Sequence, residues 1–97
     1  MLTLEEMKYR LSPVFRQNGV KRAVLFGSYG KGCPTEKSDV DLLVDSGLRG
    51  LKFVGLIEDV REALNGIEVD LFDSTHIETG SRIEREIHDT GVLLYEE

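Results

Sequence analysis

Two stretches of the chain alternate apolar residues with carboxylates, and this alternation constrains the fold more than any other feature of the sequence. The first stretch reads Asp39, Val40, Asp41, Leu42, Leu43, Val44, Asp45. The second reads Ile67, Glu68, Val69, Asp70, Leu71. Because successive side chains of a strand point to opposite faces, each stretch predicts a strand with one buried face and one acidic face.

Helical periodicity flanks the first of these strands. Thr3 and Glu6 form a capping-box pattern that predicts a helix start, and Asn18-Gly19 suits its end. Pro13 is expected to kink this helix, since proline lacks an amide donor. Asn65-Gly66 ends a second helix, whose apolar stripe is Phe53, Val54, Ile57, Val60 and Leu64.

The remaining segments complete an alternating pattern. Residues 20–26 predict a short strand, residues 27–34 a turn that leads into a short helix, residues 77–88 a final helix and residues 92–95 an edge strand. The pattern predicts an α/β (α+β) fold in which helices lie on one face of a small mixed β-sheet. The 97 residues suit a single domain over positions 1–97.

Charge and hydropathy exclude several functional classes. Twelve basic and eighteen acidic residues give a net charge of −6, so stable DNA or RNA binding through a basic stripe is not expected. No apolar run approaches the roughly 18 residues that cross a bilayer, and the N-terminus resembles no signal peptide. We therefore expect no membrane association and a cytoplasmic location.

Three features point to phosphate and metal chemistry. Gly27-Ser28 follows a predicted strand, where backbone amides and a hydroxyl are able to cradle phosphate oxygens. Asp39 and Asp41 lie two residues apart on one strand, which places their Cα atoms about 6.5 Å apart on the same face. If Asp70 lies on the neighbouring strand, three carboxylates share one patch, and such a cluster either raises its pKa values or holds a cation. Oxygen ligands beside a phosphate-binding turn favour Mg²⁺.

These residues also carry a family resemblance. Gly27-Ser28, ten intervening residues and Asp39-x-Asp41 resemble the Gly-Ser-x₁₀-Asp-x-Asp motif of DNA polymerase β-type nucleotidyltransferases. The similarity is strongest to the minimal nucleotidyltransferase (MNT) group, because VLFGSYGKG, SDVDLLVD, GLKFVGLIEDV and VDLF occur in that group's usual order.

The resemblance implies a role for each motif residue. Gly27 and Ser28 would bind the β- and γ-phosphates of ATP, the substrate. Asp39, Asp41 and Asp70 would be the catalytic residues and would hold two Mg²⁺ ions, with Asp70 also helping to deprotonate the attacking hydroxyl. Lys31 stands where the group often has arginine, so it keeps a charge for nucleotide binding but loses bidentate phosphate recognition.

Three functions remain open at the level of sequence. The resemblance implies an antitoxin that transfers AMP to a tyrosine of a partner HEPN-domain toxin, with which it would form a hetero-oligomer. A second possibility is a binding module that neutralises such a partner without catalysis. A third is a small-molecule enzyme of the aminoglycoside nucleotidyltransferase kind, although the sequence shows no second domain to form an acceptor pocket.

Overall fold

The capping box starts the first helix as the sequence predicts. The Thr3 hydroxyl accepts a hydrogen bond from the Glu6 amide at 3.1 Å, and the Glu6 carboxylate accepts one from the Thr3 amide at 3.4 Å. The helix then runs to Gln17, and it continues through Pro13. Gly19 adopts a φ of 71° just beyond the Asn18 cap, which ends the helix where the sequence indicates.

The structure is a computed structural model that describes residues 2–30, 32 and 39–97. Its elements, in chain order, are α1 (Leu4–Gln17), β1 (Arg22–Phe26), α2 (Gly27–Gly30), β2 (Val40–Asp45), α3 (Leu51–Ala63), β3 (Val69–Asp73), a 3₁₀ turn (Ser74–His76), α4 (Arg82–Thr90) and β4 (Val92–Glu96). Among the helices of these residues, none is long and apolar enough to cross a membrane.

The four strands form one sheet in the order β3-β2-β1-β4. β1 pairs antiparallel with both β2 and β4, whereas β2 and β3 are parallel. A parallel pair needs a crossover, and α3 supplies it. The predicted mixed sheet is confirmed.

Helices α1 and α3 cover one face of this sheet. On α1, Met7, Leu11 and Phe15 are spaced four residues apart and are fully buried against it. The α3 stripe is only partly correct: Val54 is 47% exposed, and Leu56, which the sequence reading omitted, is fully buried. Leu56 is four residues before Val60 on the central line of the helix face, whereas Val54 lies beyond its edge.

Both predicted strands that follow these helices begin later than the periodicity suggests. The amide of Val20 donates a hydrogen bond to the carbonyl of Phe15 at 2.9 Å, and the amide of Ile67 donates one to the carbonyl of Leu64 at 3.3 Å. Their backbones therefore satisfy the ends of α1 and α3, and the strands start at Arg22 and Val69.

The last helix also differs from its prediction over residues 77–88. It begins at Arg82, because Ser81 caps it by accepting a hydrogen bond from the Glu84 amide at 3.1 Å. Gly80, with a φ of 78°, lies outside it. This helix, α4, lies at the face of the sheet opposite α1 and α3, next to the side chain of Asp41, so the prediction that the helices lie on one face is correct for α1 and α3 and wrong for α4.

A buried carboxylate ties the ends of the two parallel strands together. Asp73, at the end of β3, is 2% exposed. Its two oxygens accept hydrogen bonds from the amide and hydroxyl of Ser46, which follows β2, and from the amide and hydroxyl of Thr75. Burial raises the pKa of Asp73, but these hydrogen bonds outweigh it and hold the pKa below the ordinary value of 3.8.

Replacing Asp73 with alanine should lower the free energy of unfolding by about 2–4 kcal/mol, since four donors lose their acceptor. The matched control is Asp45→Ala, at the exposed end of β2, which should change it by less than about 1 kcal/mol. Urea unfolding at several pH values measures both. Because the folded pKa of Asp73 is lowered, its contribution is present above pH 3.8 and is lost as the pH falls through the folded value. Equal losses in the two variants would contradict the assignment.

Candidate active site

Gly27 and Ser28 form the corner where β1 ends and α2 begins, which we call the glycine corner. The φ of Gly27, 72°, lies in the left-handed region, and a Cβ atom at this position would collide with the carboxylate of Asp41. The left-handed φ favours glycine, and a larger residue would also displace the Asp41 carboxylate. Ser28 follows at the start of α2 with its side chain exposed.

The strand register brings two of the predicted carboxylates side by side. Asp41 is paired with Phe26 of β1 on one side and with Asp70 of β3 on the other. Both aspartates lie on the face of the sheet away from α1 and α3, close enough for Asp70 to raise the pKa of Asp41 through its charge and through a hydrogen bond.

This environment disfavours the charged form of Asp41. Desolvation by burial raises the pKa of its carboxyl group from 3.8 to about 6, with further contributions from the charges of Asp70, Glu86 and Asp39 and from the hydrogen bond to Asp70. A cation at this point would relieve the repulsion.

Asp39 is less closely involved than the other two. It is exposed, lies directly before β2 and contributes to the raised pKa of Asp41. Over residues 2–30, 32 and 39–97, no three acidic, histidine or cysteine side chains already converge as the ligands of one ion. The structure thus places Asp41 and Asp70 together, with Asp39 nearby, and the three-carboxylate metal site stays a prediction.

Helix α4 forms one wall of a cleft beside Asp41, which the sequence analysis did not predict. A cleft of about 280 Å³ opens between it and the glycine corner, lined by Gly27, Ser28, Asp41, Glu86, Asp89 and Thr90. Asp89 and Thr90 lie three and four residues after Glu86, so both are neighbours of Glu86 on the surface of the helix. That spacing was the only signal in the sequence, and acidic residues on a helix face are more often simply solvated.

The family of this site follows from comparison with known proteins. Residues 10–97 match the family described as polymerase beta, nucleotidyltransferase. That range contains the glycine corner, all three aspartates and the α4 wall. The chain belongs to this family.

A sequence relative supports the assignment of this nucleotidyltransferase to its family. The protein adenylyltransferase MntA of Thermococcus cleftensis is 41% identical over 88 residues, which cover 82% of this chain and 86% of the relative.

Two solved structures share the fold. One is a toxin–antitoxin complex with AMP-PNP (TM-score 0.76, 24% identity, 93% of this chain and 73% of the other). The second is a tri-AMPylated Shewanella oneidensis HEPN toxin in complex with an MNT antitoxin (TM-score 0.72, 21% identity, 98% and 74%). At these identities the similarity shows the fold, and the predicted polymerase β-type nucleotidyltransferase fold is confirmed.

Two further residues of the nucleotidyltransferase, Lys31 and Asp45, bear on the candidate site. Lys31, predicted to contact nucleotide, lies outside the described residues, so its role stays a prediction. Asp45 lies in register with Arg22 at the far end of β2, and the two line a separate depression. It is therefore a natural control for Asp41.

In the absence of metal and nucleotide, Asp41→Asn should stabilise the protein at pH 8. A pKa shift from 3.8 to about 6 corresponds to at most about 3 kcal/mol, and solvent screening of the half-buried side chain reduces this to about 1–2 kcal/mol. Because the folded pKa is raised, the parent loses this stability as the pH rises through about 6. The gap between variant and parent should therefore close towards pH 4.

Thermal unfolding in EDTA from pH 4 to 8 measures this difference, with Asp45→Asn as the control. Asp45→Asn should show no gain of this kind. A destabilised Asp41→Asn, or a gain that is the same at every pH, would contradict the repulsion between Asp41 and its acidic neighbours.

Proposed function

We propose that this nucleotidyltransferase transfers AMP from ATP to a tyrosine hydroxyl of a partner HEPN toxin and thereby acts as its antitoxin. The observation that carries the proposal is the glycine corner, Gly27-Ser28, directly against the repulsive pair Asp41 and Asp70. The Thermococcus relative is named as a protein adenylyltransferase, and the two structures of the same fold are toxin–antitoxin complexes.

The glycine corner would hold the triphosphate. With no side chain at Gly27, a phosphate group is able to approach the backbone beside Asp41. The exposed Ser28 offers its amide and hydroxyl as donors to the β- and γ-phosphates. Lys31, three residues further on, would add a positive charge.

The acidic pair fits Mg²⁺. Asp41 and Asp70 offer hard oxygen ligands from neighbouring strands, and their mutual repulsion falls when a cation binds. Asp39, two residues before Asp41, would complete the set for two ions. When bound, the metal withdraws charge from the phosphates and makes a hydroxyl more acidic.

The chemistry is a displacement at the α-phosphorus of ATP. The acceptor oxygen forms a bond to that phosphorus, the bond between it and the α–β bridging oxygen breaks, and pyrophosphate leaves with the bond's electron pair. The proton of the hydroxyl passes to a carboxylate, for which Asp70 is suited because it is the more exposed of the pair.

The acceptor would come from a second molecule. At about 280 Å³ the cleft lies below the usual range for a whole drug-sized ligand, and polar and acidic side chains line it. It therefore suits phosphates and metal better than a second, enclosed small-molecule substrate. A tyrosine presented by a partner protein needs no enclosed acceptor pocket.

Incubation of the nucleotidyltransferase with Mg²⁺-ATP and its HEPN partner should add whole AMP increments to the mass of the partner, which intact mass spectrometry measures. Asp39→Asn, Asp41→Asn and Asp70→Asn should each abolish the increments, whereas Asp45→Asn should retain them. Transfer to an aminoglycoside with none to the partner would contradict a protein acceptor. Neutralisation of the partner by the Asp41→Asn variant, without any mass increment, would favour a binding module.

Gly27→Ala should weaken Mg²⁺-ATP binding at least tenfold, because the new Cβ would collide with the Asp41 carboxylate. Gly19→Ala is a matched control: its φ of 71° nearly equals the 72° of Gly27, but a Cβ there meets nothing within 4 Å. Both variants should lose about 1–2 kcal/mol of stability from backbone strain, so only the effect on binding separates them. Calorimetric titration measures the affinities, and equal losses of affinity would show that strain alone is responsible.

A further inference from the structure

The hydroxyl of Thr90, at the end of α4, is bonded to the backbone of the glycine corner. The Gly27 amide donates a hydrogen bond to Thr90 Oγ1 at 2.9 Å, across 63 positions of sequence. The same hydroxyl donates to the carbonyl of Glu86 at 2.7 Å. Since its proton is committed to Glu86, its lone pairs are oriented to accept from Gly27.

A second contact ties the other end of α2 to the same residue. A Cβ atom at Gly30 would collide with the backbone carbonyl oxygen of Thr90. Thus both glycines that bound the four-residue helix α2 lie against Thr90, one through a hydrogen bond and one through close backbone approach. Two of the four positions of the helix, Gly27 and Gly30, therefore contact Thr90, and Ser28 lies between them.

We propose that Thr90 is the positioning residue of the phosphate-binding corner. Its hydroxyl fixes the peptide plane between Phe26 and Gly27, and that plane sets the direction in which the Ser28 amide and hydroxyl face the cleft. Glycine has the widest conformational freedom of any residue, so the corner needs an external contact to hold one orientation. Thr90 acts through Gly27 and does not itself take part in the transfer.

The inference rests on the proposed nucleotide site at Gly27-Ser28. It also implies that the Gly27 amide is not a phosphate donor in this arrangement, because that amide is already bonded to Thr90. Phosphate recognition then begins at Ser28.

Thr90→Val tests the role directly, because valine keeps the shape of threonine but removes the hydroxyl. We expect the affinity for Mg²⁺-ATP to fall about fivefold to tenfold, in line with one lost hydrogen bond. The Gly27 amide should also exchange with solvent faster, which NMR measures at that single residue. Thr90→Ser, which keeps the hydroxyl, should restore both properties.

Ser81→Ala is the matched control for general loosening of α4. It removes the cap at the opposite end of the same helix, where Ser81 accepts from the Glu84 amide, and Ser81 is not among the residues that line the cleft. It should lower the melting temperature as much as Thr90→Val or more, while it leaves the Mg²⁺-ATP affinity and the exchange of the Gly27 amide unchanged.

The outcomes separate the inference from the function on which it rests. If the parent binds Mg²⁺-ATP and Thr90→Val binds it equally well, the positioning role is wrong and the nucleotide site stands. If Ser81→Ala loses as much affinity as Thr90→Val, helix stability explains the effect and the inference fails. If the parent does not bind Mg²⁺-ATP, the proposed function and the inference fail together.

Discussion

The parallel register of β2 and β3 places two carboxylates of like charge side by side, and the candidate active site depends on this contact. Asp41 and Asp70 are register partners on neighbouring strands, so their Cα atoms stay adjacent whichever rotamers their side chains adopt. The hydrogen bonds from Ser46 to the Asp73 carboxylate hold the far ends of the same two strands together and support that register. The fold thus keeps these two carboxylates close enough to repel each other, and a divalent cation with its bound phosphates would relieve that repulsion.

The cleft exists because a second element faces this pair. Helix α4 lies at the same face of the sheet and brings Glu86, Asp89 and Thr90 opposite the glycine corner. Glu86 adds negative charge to the surroundings of Asp41, so α4 contributes to the repulsion there as well as shaping the cleft. The hydroxyl of Thr90 joins the two walls, so the position of the glycine corner and the position of α4 are coupled.

Much of this arrangement was predictable from local patterns. The alternation around Asp41 and Asp70 gave two strands with one acidic face, and the capping box at Thr3 gave the start of α1. Where tertiary contacts decide, local patterns failed: the 77–88 helix prediction missed the Ser81 cap, and the α3 stripe missed Leu56. The wall formed by α4 was beyond prediction because Gly27 and Thr90 are 63 positions apart, and nothing in either neighbourhood encodes their hydrogen bond.

We infer that Asp41 is held in an electrostatically unfavourable state that a divalent cation with nucleotide would relieve. A ¹³C NMR titration of the Asp41 side-chain carboxyl, first without metal and then with Mg²⁺ and AMP-PNP, measures this directly. We expect a pKa of about 6 in the metal-free protein and a marked fall when Mg²⁺ and nucleotide are added. A metal-free pKa at the ordinary value of 3.8, unchanged by Mg²⁺ and nucleotide, would contradict it.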